Sequence, residues 1–397
     1  MSVKRSALMM AAALAVTLGS SLALAVPALV DIPAVVAGDG SEGRCITPDG
    51  MYVGGISGSA GLVWDATLGT RQPVAGGYQD AVYGIGYRTP TDGSPTELVI
   101  GGPNSGWQSM NASTDGGVTW IKRRRTNTHA YGGGPSNTVS GGGTGGMIYS
   151  TFQTPNSNTP QLYIDAWNDA GWASAPDTKG TSTKSNIIGV SNTGVAVGRR
   201  QNSSGVYQSY KLVFSGSGGL AASWVPGLDG TDVGELWDIA DDGSLAGGVC
   251  QVTGKTGLWA FVTDMAGTAT ELPVLNAGTS YATNSRVYGM GPNGDYAVGM
   301  DYTLGMERAV LWDLNAGTVL DLTQFATDNG ILGDFTGNLR RAYAVGVDGE
   351  GNPVVTGYGF ASAIDADDWT GYVLTLPEPA SLTLLALGGL VLLRRRR

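Results

Sequence analysis

Along most of the chain, short apolar runs alternate with polar turns, and the alternation recurs as a phrase. It is an apolar pair, a polar turn with Asp or Asn ahead of Gly, a second apolar stretch, and then Gly. Ile187 through Gly198, Leu236 through Gly247 and Val287 through Gly299 are clear copies. Tyr343 to Gly349, leading into Val354 to Gly357, is a copy with an inserted turn. Asp49 to Gly54 and Asp92 to Gly101 are looser, and Val139 to Tyr149 is the weakest match. A second phrase, an apolar run rich in tryptophan, follows: Gly61 to Trp64, Gly257 to Phe261 and Ala309 to Asp313. Leu162 to Trp167, Tyr210 to Phe214 and Tyr372 to Leu374 are its equivalents.

Apolar runs flanking an Asp/Asn–Gly turn predict a β-hairpin, with glycine supplying the positive φ of the turn. The tryptophan-bearing run predicts the next strand. Turn glycines at 194, 243 and 294 give a period near 50 residues. That spacing, with about four short strands per unit, fits a β-propeller blade. The 351 residues from 26 to 376 then make about seven blades. The expectation is an all-β fold, one β-propeller of about seven four-stranded blades. Residues 1–25 precede it as a signal peptide, and residues 377–397 follow it as a sorting segment with a short transmembrane helix.

Two family resemblances sharpen the reading of the body. Ser113-Thr114-Asp115-Gly116-Gly117-Val118-Thr119-Trp120 resembles an Asp-box. The resemblance implies a structural turn between the outer strands of a blade, with Asp115 capping its own turn amides and Trp120 packing between blades. Ser113, Gly117 and Thr119 complete the motif, and Trp120 is expected where Trp64 and Trp312 fall in other copies. The repeats as a whole, with Asp313-Leu314 and Asp321-Leu322, resemble extracellular repeats of the HAF type.

The ends carry targeting signals. Lys4 and Arg5, the apolar run Ala7 to Leu18, and Ala23-Leu24-Ala25 form the n-, h- and c-regions of a secretory signal peptide. At the other end, Pro377-Glu378-Pro379, the apolar run Ala380 to Leu393, and Arg394, Arg395, Arg396 and Arg397 resemble the tripartite PEP-CTERM tag of bacteria. The resemblance implies an exosortase-type processing enzyme as partner and a transient stay in the inner membrane. It implies release to the cell surface or extracellular matrix. A helix of this length rises about 21 Å, short of the ~30 Å hydrocarbon core, and its arginines would snorkel to the cytoplasmic face.

Charge and chemistry narrow the function classes. Losing Lys4, Arg5 and Arg394 to Arg397 takes the net charge from −10 to −16. An acidic surface of that size argues against nucleic-acid binding. Lys122 to Arg125 reads as a solvated strand end. A single histidine, His129, leaves little for a catalytic triad, and two distant cysteines, Cys45 and Cys250, leave nothing for zinc. The body's glutamates are Glu42, Glu97, Glu235, Glu271, Glu307 and Glu350, and no Arg-Ile-Pro start motif of the sialidase type occurs. No catalytic residue is assigned and no cofactor is required. Calcium is the one candidate ion, at Asp238, Asp241 and Asp242 or at Asp365, Asp367 and Asp368, although neither group matches an EF-hand loop.

Two functions follow. One is a non-catalytic surface or matrix propeller that binds an exopolysaccharide or matrix protein. The other is a secreted, glycosidase-like enzyme on the same scaffold, which needs two carboxylates facing one cleft. Finally, the apolar segment around Leu29 to Val36 has no hairpin partner of its own. It is expected to pair beside Gly371 to Leu376 and shut the ring, with Pro27 and Pro33 confining it to an edge.

Overall fold

In the computed structural model the described residues are 26–377. They exclude the segments 72–80, 90–93, 105–106, 126–136, 140–147, 154–161, 169–170, 177–184, 216–218, 276–282, 336–337 and 361–368, and positions 203, 232 and 304. The expected signal peptide (residues 1–25), His129, Glu378, Pro379, Asp365, Asp367, Asp368, the apolar C-terminal run and its arginines lie outside them.

The chain opens with β1 (Ala28–Ile32), then runs through successive up-and-down sheets. The first blade holds β2 (Ser41–Ile46), β3 (Tyr52–Ser57), β4 (Ala60–Asp65) and β5 (Gly69–Arg71). The second holds β6 (Gly84–Arg88), β7 (Glu97–Asn104), β8 (Trp107–Ser113) and β9 (Ile121–Arg125). The third holds β10 (Asn137–Val139), β11 (Ile148–Gln153), β12 (Leu162–Asn168) and β13 (Gly171–Pro176). The fourth holds β14 (Ser185–Val190), β15 (Val195–Gln201), β16 (Tyr207–Ser215) and β17 (Gly219–Trp224). The fifth holds β18 (Gly234–Ile239), β19 (Leu245–Cys250), β20 (Gly257–Asp264), β21 (Ala269–Glu271) and β22 (Thr283–Asn284). The sixth holds β23 (Arg286–Met290), β24 (Tyr296–Thr303), β25 (Met306–Asp313) and β26 (Thr318–Asp321). After the helix α1 (Leu322–Asp328), the seventh holds β27 (Leu339–Val347), β28 (Pro353–Phe360) and β29 (Trp369–Thr375).

Each sheet's first strand touches the sheet before it, and β2 touches β27, β28 and β29, so the sheets form a closed ring. The all-β propeller expected from the repeats is therefore the fold. Its strand count needs one correction. Six of the sheets are four-stranded, and that of the fifth blade is five-stranded. The reason is local: β21 covers only Phe261 to Thr263 of β20, and β22 fills the open edge beside Gly257 and Leu258 in parallel. Among the described residues no helix is long and apolar enough to cross a membrane.

Where the described residues cover them, both sequence phrases land as read; the turns of the Asp92 to Gly101 and Val139 to Tyr149 copies lie outside those residues. The first spans the hairpin between a blade's inner strand and its second strand, and the second is the third strand. Gly50, Gly194, Gly243 and Gly294 all take positive φ, between 73° and 81°. Each donates its N–H to a carbonyl three residues back, a turn that only glycine closes without strain.

The core is a series of layers between blades. Trp64, Val53, Leu62, Ile32 and Val373 fill the seam between the seventh and first blades. Trp312, Val287, Ala260 and Val262 fill that between the fifth and sixth, where the indole N–H of Trp312 reaches the carbonyl of Pro273 at 2.7 Å. Leu322, Phe325, Phe335 and Tyr372 thicken the seam between the sixth and seventh.

The ring shuts where expected. β1 is the outermost strand of the seventh blade, in register from Ala28 against Thr375 to Ile32 against Gly371. It is shorter than the expected Leu29 to Val36, because Pro33 has no N–H to continue the ladder. The Ser41 hydroxyl stitches the joint, donating to the Ile32 carbonyl and accepting from the Gly371 N–H.

The turn around Ser113 to Trp120 joins the third and fourth strands of the second blade. Asp115 accepts from the N–H groups of Val118 and Thr119 and from the Thr119 hydroxyl, contacts that hold its carboxyl well below the usual carboxylate range. The buried amide of the turn, that of Gly117, is taken by Ser113 instead, at 2.8 Å. Trp120 needs a correction. It follows this turn, whereas Trp64 and Trp312 lie within third strands. The shared element is the aspartate: Asp65, Asp264 and Asp313 cap the same turn in other blades.

Two outcomes test these contacts. Ile32→Ala opens a void in the closing seam and should lower the unfolding free energy by ~2–5 kcal/mol in a denaturant melt. Ser113→Ala strands a buried amide and should cost about 1–3 kcal/mol, with Asp115→Ala costing less because water replaces its contacts to exposed amides.

Candidate functional site

The inner strands surround the axis of the ring, and five of them carry a β-bulge at one register. The unpaired residue is Arg44 in β2, Ile188 in β14, Trp237 in β18, Tyr288 in β23 and Tyr343 in β27. A bulge re-aims its side chain and is over-represented beside binding sites. Opposite it stands a glycine of the second strand, at the end of each repeat phrase or one residue past it. A Cβ on Gly55, Gly248, Gly299 or Gly357 would lie 1.8–2.0 Å from the carbonyl of Glu42, Glu235, Arg286 or Arg341. These glycines let the second strand approach the inner one at the bulge.

The bulged residues meet side to side. The rings of Trp237 and Tyr288 are 5.3 Å apart and edge-on, and Tyr288 is 5.3 Å from Tyr343. The Arg44 guanidinium lies 4.4 Å over the Tyr343 ring, whose neighbour on its own blade is the stacked Tyr358. From Trp237 the chain of contacts continues to Arg199 of the fourth blade, which also covers Tyr207. Tyr358 leads outward to Phe360 and the exposed Trp369. The result is an arc of arginines and aromatic rings around the axis, from the fourth blade to the first.

Two residues before each bulge stands a charged residue in four of these blades: Glu42, Glu235, Arg286 and Arg341. Glu42 pairs with Arg44, and Glu235 with Arg199 at 2.9 Å. Arg341 holds Glu307 of β25 through two contacts, at 2.7 and 2.6 Å. Burial raises the Glu42 carboxyl while Arg44 opposes the rise. Burial also lifts the hydroxyls of Tyr288, Tyr343 and Tyr358 above the ordinary tyrosine range, so the rings stay neutral.

The remaining candidates lie elsewhere. Glu97 is ion-paired with Arg88 at 2.9 Å, Glu271 with Lys255 near the outer edge of the fifth blade, and Glu350 lies in an exposed turn. Lys122 to Arg125 lie in β9, the outermost strand of the second blade. Cys45 and Cys250 are free thiols. The described acids of the first calcium candidate do structural work. Asp238 accepts from the Met290 N–H of the next blade at 2.8 Å, and Asp242 caps its own turn at Ser244. Among the described residues no three His, Cys, Asp or Glu side chains gather where they could hold a metal ion.

Sequence reasoning passed over the arc. Trp237, Tyr288 and Tyr343 read as members of apolar pairs. The available signal was a break in strict alternation at the apolar pair, together with the Gly at or just past the end of the phrase.

No described protein family matches the chain, and no curated protein matches it. Solved structures resemble it in shape. Hydrazine synthase of Kuenenia stuttgartiensis aligns over 89% of this chain and 98% of its own, at 15% identity and a TM-score of 0.48. An oligogalacturonate lyase in complex with manganese aligns over 89% and 97%, at 10% identity and 0.48. TolB of Acinetobacter baumannii aligns over 72% of this chain at 12% identity and 0.41, and the chain spans 64% of TolB's length. At this distance they say nothing about what the chain binds.

Asp238 gives a pH test. Burial, followed by repulsion from Asp241, pushes its carboxyl up to about 7. Well below pH 4 it is protonated folded or unfolded; as pH rises from about 4 towards 7 the unfolded chain ionises and the folded one does not, so stability falls across that window and is level above it. Asp238→Asn keeps an oxygen for the Met290 N–H. It should raise the melting temperature at pH 8 by roughly 2–4 °C and leave it unchanged well below pH 4.

Proposed function

We propose that the chain is an exported, exosortase-processed protein of the cell surface or extracellular matrix, whose propeller binds a glycan or protein without transforming it. The observation that carries the binding half is the arc of Arg44, Tyr343, Tyr288, Trp237 and Arg199 around the axis. Aromatic rings and guanidinium groups recognise planar, polar and anionic ligand groups. The three glutamates that face the arc, Glu42, Glu235 and Glu307, are each engaged by an arginine. A glycosidase needs one carboxyl to give a proton and a second free to attack or activate water, so paired acids favour binding over hydrolysis.

The export half rests on the end segments. The Pro377-Glu378-Pro379 tag with its arginine tail and the n-h-c pattern of residues 1–25 support it. The folded body brings its two ends together, since Ala28 pairs with Thr375. Intact-mass analysis of protein released from cells should find residues 1–25 and the tail absent. Arg394 to Arg397 on released protein would overturn this half. A glycan array with a hydrolysis screen on the full chain tests the other half, where retention without turnover is the expected result.

A further inference from the structure

The unmet hydrogen-bonding capacity of the arc has one sign. Among the described residues, Arg44 Nε, Arg199 Nε, Arg286 Nε and Trp237 Nε1 are buried donors without a partner. They belong to consecutive blades, the fourth, fifth, sixth and first, with the seventh bridging the gap through Tyr343 and Arg341. Buried donors left unpaired cost free energy, so the donor-rich arc favours acceptors over further donors, and it is the less buried guanidinium ends that can meet them. The one buried acceptor in the arc that lacks a hydrogen bond, Glu42 Oε2, already faces Arg44.

Charge points the same way. Arg44, Arg199 and Arg341 are balanced by Glu42, Glu235 and Glu307, but Arg286 has no ion pair among the described residues. This excess cation sits two residues before the Tyr288 bulge, in a chain whose net charge is −10. A local positive site on an acidic protein selects anions at that point and repels them elsewhere. Phe360 and the exposed Trp369, beside Arg340, add apolar surface at the outward end of the aromatic ladder, several rings from Arg286. A sugar ring offers a C–H face to such surface, and a uronate adds the carboxylate that a guanidinium fork accepts.

We propose that the arc takes a carboxylate-bearing glycan, a polyuronate, with the guanidinium of Arg286, free of any ion pair among the described residues, donating to its carboxylate. This rests on the binding reading above and narrows its ligand class.

The test is affinity electrophoresis of the full chain in gels holding alginate, its propylene-glycol ester, or poly-glutamate. Alginate should retard the protein, and the ester, which keeps the backbone and loses most of the charge, should retard it about tenfold less. Arg286→Gln should weaken retention by about tenfold or more at an unchanged melting temperature, with Arg286→Lys keeping part of it. Equal retention by alginate and ester would overturn the polyuronate assignment and leave glycan binding standing. Retention by poly-glutamate alone would overturn it in favour of an acidic protein. Wild-type retention of alginate by Arg286→Gln would overturn the site. No retention in any gel, together with a blank glycan array, would overturn both readings.

Discussion

Everything at the centre of this ring depends on how closely a second strand can approach an inner one. At Gly55, Gly248, Gly299 and Gly357 the space a methyl group would need is filled by an inner-strand carbonyl. The missing side chain lets the ladder pass beside an extra residue, and that residue is thrust toward the axis. Any larger residue there would push the strands apart and turn Arg44, Trp237, Tyr288 or Tyr343 away from its neighbours. The arc is thus built by residues that take no part in it.

The same economy governs the core. No blade buries enough apolar surface alone; each lends one face to a seam shared with the next. Trp312 and Trp64 sit in such seams, on third strands whose partners lie in another blade. The polar joints follow suit: Asp238 reaches the Met290 amide one blade on, and Ser41 ties β1 to β29. Stability is distributed around the ring, and the joint at β1 is the point where it could be interrupted.

How much of this could be read in the residues varies with how local the physics is. Turn glycines at 50, 194, 243 and 294 were legible, because a positive φ is a property of one residue and its two neighbours. The closing strand was legible as an apolar stretch without a partner, and Pro33 set its limit. The two-residue β22 was not, since it has no period and exists only because β21 stops short. Trp120 was placed by its residue type, when the repeated feature of that turn is the aspartate. The arc was the least legible part. Its aromatic residues look apolar in one dimension, and their meeting depends on bulges in separate blades.

The closing strand imposes an order of events. Gly371 and Ser41, joined by a hydrogen bond, are 330 residues apart. During synthesis β1 emerges first and must wait, unpaired, while six blades form behind it. The outer edge of β29 is likewise bare until β1 arrives. Contacts so distant in the chain close slowly. The ring therefore cannot be completed by any truncated or arrested chain, however well its finished blades are folded. Its last hydrogen bonds serve as a check that the whole repeat array has been made.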